Sequence, residues 1–184
     1  MKPADRPRPA TADLREEHEL ILRALAVLER IATRLASGRP VSDPTINDLV
    51  QFLRTFADRC HHTKEEDHLF PAMRAKGAGD ALAVFLDEHE EGRRYLGTLA
   101  GSTSSAERAA AARRYIGLLQ SHIERENDVL FPLADGLFTA PEHDTLARAY
   151  GDVERRVVGV GAHHDLLTTL ARLEAAVTGE PVES

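Results

Sequence analysis

Two stretches of the chain repeat one pattern of chemically capable residues: His61, Glu65, Leu69, Phe70 and Pro71 in the first, His122, Glu126, Leu130, Phe131 and Pro132 in the second. Both read H-x-x-x-E-x-x-x-L-F-P. On a helix, residues four apart sit one above the other, so each stretch presents an imidazole and a carboxylate in the same direction. Two such helices face to face make a cage, and Leu-Phe-Pro below it supplies apolar packing and a helix stop. His18 and His89 are polar residues in otherwise apolar helical stripes, which adds two imidazoles to the same seam.

Buried imidazoles and carboxylates are costly unless something pairs with them. A multivalent cation does so for all six at once, because it takes neutral imidazole and ionised carboxylate together. Nitrogen and oxygen donors without thiolate suit iron or manganese, and two carboxylates from opposite helices can each bridge two metals. A closed structural zinc site needs only four ligands. The candidate ligands are therefore His18, His61, Glu65, His89, His122 and Glu126. His62 and Glu66 repeat the spacing one residue on, but only His61 and Glu65 align with the second stretch, so His62 reads as an outer or exposed residue. His68, His143 and His163 read as surface residues, and His164 as a packing histidine. Tyr115 either lines the pocket or fills core. Tyr150 and Glu154 are further candidates for a metal position, Arg93 for pairing with Glu65 or Glu126, and Cys60 for a buried residue near His61.

The elements that must position these groups are helices. The first opens at Asp13 with Glu16 three residues on, a capping-box pattern, follows Leu14, His18, Ile21, Leu25, Leu28, Ala32 and Leu35, and ends at Gly38 and Pro40. The second starts near Asp43 and Pro44, buries Val50, Leu53, Ala57, His61, Glu65 and Leu69, and stops between Pro71 and Gly77. The third covers Asp80 to Ala100. The fourth begins at Ser104 or Ser105 and buries Tyr115, Leu119, His122, Glu126, Leu130 and Leu133. The last runs from Thr139, with Glu142 completing a capping box, to about Val177, bent or interrupted at Gly159 and Gly161. Short Gly/Ser connections imply antiparallel neighbours. The expected fold is all-α, an up-down-up-down four-helix bundle with an additional C-terminal helix. Residues 1–12 form a flexible tail, 13–134 the bundle and 139–177 a helical segment packed on it. A depth count along the bundle puts His18 one to two turns low, which an earlier start of the first helix would correct.

At 184 residues there is room for one domain with its own core. The net charge of −7, with arginine pairs scattered among acids, argues against nucleic-acid binding. The lone Cys60 allows no internal disulfide, and the Pro- and Arg-rich start lacks an apolar segment, so the expectation is a cytoplasmic protein with no membrane span.

The order His18, His61-x-x-x-Glu65, His89, His122-x-x-x-Glu126, with both Leu-Phe-Pro tails, resembles the hemerythrin-like family, the HHE cation-binding domain, over roughly residues 13 to 134. The resemblance implies two iron ions joined by an oxo or hydroxo bridge. His18 and His61 would hold one, His89 and His122 the other, and Glu65 and Glu126 would bridge. Oxygen-carrying members have another histidine four residues after the third-helix one, where this chain has Arg93, and their second bridge is an Asp one residue beyond the place of Glu126. Without that histidine both irons would keep an open position, which favours reaction with oxygen, peroxide or nitric oxide over reversible storage. The implied partner is a small diatomic or peroxide ligand. The readings left open are an oxidoreductase that decomposes peroxide or reduces nitric oxide, a sensor of oxygen, nitric oxide or iron, and oxygen or iron storage. The sequence names no protein partner.

Overall fold

The computed structural model describes residues 8–159 and 162–178. The expectations for residues 1–7, Val160, Gly161 and the side chains of His163 and His164 lie outside the described residues. Every regular element among those described is helical. We number the helices α1 (Thr11–Ala36), α2 (43–75), α3 (Ala83–Gly101, entered by a 3₁₀ turn at Asp80–Leu82), α4 (105–137), α5 (Ala140–Val157) and α6 (Ala162–Thr178).

Helix α1 starts two residues before the expected Asp13, and no side chain caps it. Pro9 C=O takes the Ala12 N–H and His143 Nδ1 takes the Ala10 N–H, so its first donors are met by backbone and by α5. Gly38 ends it with φ of 72°, a left-handed turn in which the Arg39 N–H reaches back to Arg34 C=O. Ser42 caps α2 through the Thr45 N–H, with Pro44 in the first turn, and Ser104 caps α4 through the Glu107 N–H. The capping box at Thr139 and Glu142 opens α5 as expected. The last segment is two helices, because Gly159 turns the chain with φ of 93° after α5.

Helices α2 and α4 are not uniform. In α2 the π-helical segments Arg54–His62 and Glu65–Leu69 precede the α-helical Phe70–Ala75; in α4 Glu126–Leu130 is π-helical and Phe131–Leu137 α-helical. Both repeats thus have a π turn that begins at the glutamate and ends at the leucine. This corrects the expectation that Leu-Phe-Pro stops the helix. Pro71 and Pro132 sit in the first turn of a fresh α-helical segment, where a missing N–H is tolerated, and the chain continues to Ala75 and Leu137. The wider turn also shifts the buried face: Leu130, Phe131 and Ala134 are buried, whereas Leu133, expected inside, is exposed.

Helix α1 packs on α2 and α4, and α3 on the same two; α5 lies on the π segments of α2, and α6 on α1 and α2. The apolar interior falls into two clusters. One holds Leu25, Leu28, Leu53, Leu96, Tyr115 and Leu119 among others, with Leu170 and Leu173 of α6. The other holds Leu14, Phe70, Leu82, Phe85, Phe131 and Tyr150. Tyr115 is therefore a core residue. On α1 to α4 the buried histidines and glutamates lie in sequence where the chain passes from one cluster to the other.

At Gly92 of α3 a Cβ would lie 3.4 Å from Tyr115 Cε2 and 3.6 Å from Leu119 Cδ2 of α4, an ordinary contact with no space beyond it. Gly92→Ala should raise the stability of the metal-free protein in urea unfolding by about 0.5–1 kcal/mol through helix propensity. Gly92→Leu should lower it by about 1–3 kcal/mol through overpacking; a leucine variant as stable as the alanine one would contradict this packing.

Candidate metal centre

All six sequence-predicted residues are buried, none more than 1% exposed, and they come together in two overlapping groups. His18, His61, Glu65 and Glu126 offer ligand atoms within 4.8 Å of one another, and so do Glu65, His89, His122 and Glu126. Both groups share the two glutamates, each with one oxygen turned to either side. Glu126 Oε2 lies 3.2 Å from His18 Nε2 and Oε1 3.2 Å from His122 Nε2; Glu65 Oε1 lies 3.6 Å from His61 Nε2 and Oε2 3.5 Å from His89 Nε2. His18 is level with the rest without any special start of α1, because it and His61 stand equally far in residues from the α1–α2 connection between Ala36 and Asp43.

The outer nitrogens explain why the inner ones point inward. Glu17 of α1 accepts from His61 Nδ1 at 2.9 Å, Glu66 of α2 from His89 Nδ1 at 2.8 Å, and Glu88 of α3 from His122 Nδ1 at 2.9 Å; Asn127 Oδ1 of α4 accepts from His18 Nδ1 at 3.0 Å. Each helix holds the histidine of the next, and α4 closes the ring on α1. Each acceptor is in turn gripped by a cation from the helix whose histidine it holds: Glu17 by Lys64, Glu66 by Arg93 at 2.7 Å, Glu88 by Arg125, and Asn127 by Arg15 through its backbone oxygen at 2.7 Å. With Nδ1–H committed outward, the neutral ring keeps its Nε2 lone pair for the interior. Arg93 thus pairs with Glu66 and Asp58 rather than with Glu65 or Glu126.

The spacing of ligand types in the sequence did not reveal these outer residues. The available signal was adjacency: Glu17, Glu66, Glu88 and Asn127 each neighbour a motif residue in the chain, although each works across to another helix. His62 was placed outside and is inside, 3% exposed, stacked on His89 with centroids 3.8 Å apart, and grouped with His89 and His122 within 4.8 Å. The absence of a histidine at position 93 therefore does not by itself imply an open position. His143, expected at the surface, is buried against Phe138 and accepts the Ala10 N–H; His68 is half-buried near Tyr150. Tyr150 is buried, and its hydroxyl has no hydrogen-bond partner among the described residues. Glu154 faces Lys64 at 3.7 Å. Tyr150, Glu154, Lys64 and Glu17 line a cavity of about 410 Å³ beside the buried layer. Cys60 is buried, which pushes its thiol up to about 12 and leaves it unreactive.

The residues fit bound metal. His18 Nε2, His61 Nε2 and all four oxygens of Glu65 and Glu126 are buried with no hydrogen-bond partner among the described residues. Such atoms are rare in a native core and need a donor or a cation that takes up their lone pairs. Two nitrogens each about 2.1 Å from one ion, at right angles, stand about 3 Å apart; His89 Nε2 and His122 Nε2 are separated by 3.1 Å. Without an ion, protons do the balancing. Burial pushes Glu65 well above the usual carboxylate range, and the Glu126 charge adds to this. Burial acts on Glu126 in the same sense, yet His122 and His18 hold it well below. Burial disfavours the charged form of His122, but Glu126 and Glu88 lift it to about 9. Burial takes His61 down to about 4 despite Glu17, and holds His62 well below its ordinary value.

Glu65 and His122 both hold a proton more tightly than usual, so protons compete with a cation for the centre. Divalent-ion binding should release protons and weaken as pH falls, by up to about tenfold per pH unit for each proton displaced. Calorimetry in buffers of different ionisation enthalpy measures the release; an affinity independent of pH would contradict it.

A profile of the hemerythrin HHE cation-binding domain matches residues 10–134. Uncharacterised proteins of Mycobacterium bovis and of two strains of Mycobacterium tuberculosis are each 27% identical over 181 residues, which covers 93% of this chain and 71% of theirs. No helix among the described residues is long and apolar enough to cross a membrane.

Proposed function

The chain belongs to the hemerythrin HHE cation-binding family, and on that footing we propose that it is a non-heme di-iron protein whose centre reacts with oxygen, peroxide or nitric oxide. His18, His61, Glu65, His89, His122 and Glu126 hold the two ions. In this reading α1 to α4 form an up-down-up-down four-helix bundle over 13–134, and α5 and α6 make up the C-terminal segment packed on it. The observation that carries the proposal is the disposition of the carboxylates: Glu65 and Glu126 each turn one oxygen to the His18–His61 pair and the other to the His89–His122 pair. One ion would leave two of those oxygens unanswered in a dry layer.

When bound, iron supplies one-electron redox chemistry toward small oxidants. The chain supplies the setting. The two apolar clusters exclude water above and below the layer and strengthen electrostatic interactions inside it. The outer ring fixes each imidazole before an ion arrives, so ligand geometry is preorganised. Tyr150 adds a phenol close enough to Glu65 for that carboxylate, after burial, to raise it well above its ordinary value. Its hydroxyl, engaged by no other described residue, therefore keeps its proton and is free to donate a hydrogen bond beside the centre.

Protein loaded anaerobically with ferrous iron, supplied with a reductant and mixed in turn with each of the three oxidants, should consume many equivalents per centre of at least one, faster than the same concentration of free ferrous ion. Consumption no faster than free iron in all three cases would contradict a catalytic centre.

A further inference from the structure

The geometry points to His62 as a further metal ligand, joining His89 and His122 on the second ion. The inference rests on the di-metal reading above and deepens it. His62 is 3% exposed, and neither of its ring nitrogens has a hydrogen-bond partner among the described residues. A histidine kept only for packing satisfies at least one nitrogen, because a buried imidazole with both unmet forfeits its hydration for nothing. The stacking on His89 does not compensate, since it leaves the in-plane lone pair unused.

Its surroundings match those of the other candidate ligands. A ligand atom of His62 lies within 4.8 Å of those of His89 and His122. Behind it, Asp58 Oδ1 is 3.7 Å from His62 Nδ1, and Arg93 Nε grips the same oxygen at 2.7 Å. An acid and a cation thus stand behind His62 as they do behind His61, His89 and His122, although Asp58 is on its own helix and beyond hydrogen-bonding distance, and Arg93 serves both Asp58 and Glu66. The arginine that stands where a histidine would be needed on α3 thus steadies a histidine supplied by α2.

The local backbone makes this feasible. His61 and His62 are consecutive, and on an α-helix their side chains would diverge too far for both to face one seam. The π-helical segment Arg54–His62 has more residues per turn, so successive side chains splay less, and both are buried. His61 then belongs to the group with His18, and His62 to the group with His89 and His122. The second ion would have three imidazoles and the first two. The open positions would then fall to the His18–His61 ion.

His62→Leu separates ligation from packing, because the two roles predict opposite results in the metal-free protein. We expect the apo variant to melt at the wild-type temperature or higher, since an unmet imidazole has been replaced by an apolar side chain. After anaerobic loading with ferrous iron and gel filtration, wild type should retain two ions per chain. The variant should retain about one, or bind its second at least about tenfold more weakly, and metal should raise its melting temperature less than that of wild type. Retention of two ions with unchanged affinity overturns the assignment of His62 while leaving the di-metal reading standing. An apo variant that melts well below wild type also overturns it, since packing would then be the role. Wild type that retains no iron overturns the di-metal reading itself.

Discussion

A carboxylate oxygen or an imidazole lone pair left unmet in a dry core costs roughly 1–3 kcal/mol, and more when the group is charged. Glu65, Glu126, His18 and His61 bring such atoms to one layer, closed off by an apolar cluster on each side. The rest of the structure follows from how that layer is balanced. Without a cation, the raised proton affinity of Glu65 and of His122 opposes two like charges facing each other. Bound metal would answer the same atoms without needing protons there, so the layer is a poor core and a good binding site.

The balance is maintained from outside the layer. Glu17, Glu66, Glu88 and Asn127 each hold a histidine on the neighbouring helix, and Lys64, Arg93, Arg125 and Arg15 hold them in turn. Because every link crosses between helices, the ring ties helix packing to imidazole orientation. Loosening one bracket loosens a contact between two helices as well as one ring. Lys64 is 1% exposed and illustrates the coupling: burial alone would disfavour its charge, but Glu17 and Glu154 sustain it and raise its affinity for the proton.

The doubled motif in the sequence was enough to bring His61, Glu65, His122 and Glu126 to one place, and apolar stripes were enough to add His18 and His89. Periodicity could not show the π turns, because a stripe read at α-helical spacing assumes the same turn throughout. That assumption put Leu133 inside; the alignment of the two stretches, which chose His61, put His62 outside, and the Leu-Phe-Pro tails were read as helix stops although the second helix does end within the expected 71–77. The bracket residues were hidden for a different reason. An acid next to a buried histidine reads as a solvated face until the neighbouring helix is known, and Glu17 and Glu88 act only across that gap. Helix boundaries set by strong local chemistry, Ser42 with Pro44 and Thr139 with Glu142, were legible. The start of α1 depends on His143, far along the chain, and was not.

The central claim is that the layer is built around two cations shared by Glu65 and Glu126. Anomalous diffraction at the iron edge, from crystals of protein loaded anaerobically with ferrous iron, tests it most directly. The account predicts two peaks between α1–α4, about 3.5–4 Å apart, one within bonding distance of His18 and His61, the other of His89 and His122, and both of the two glutamates. A single peak, or iron found only at the protein surface, would contradict it.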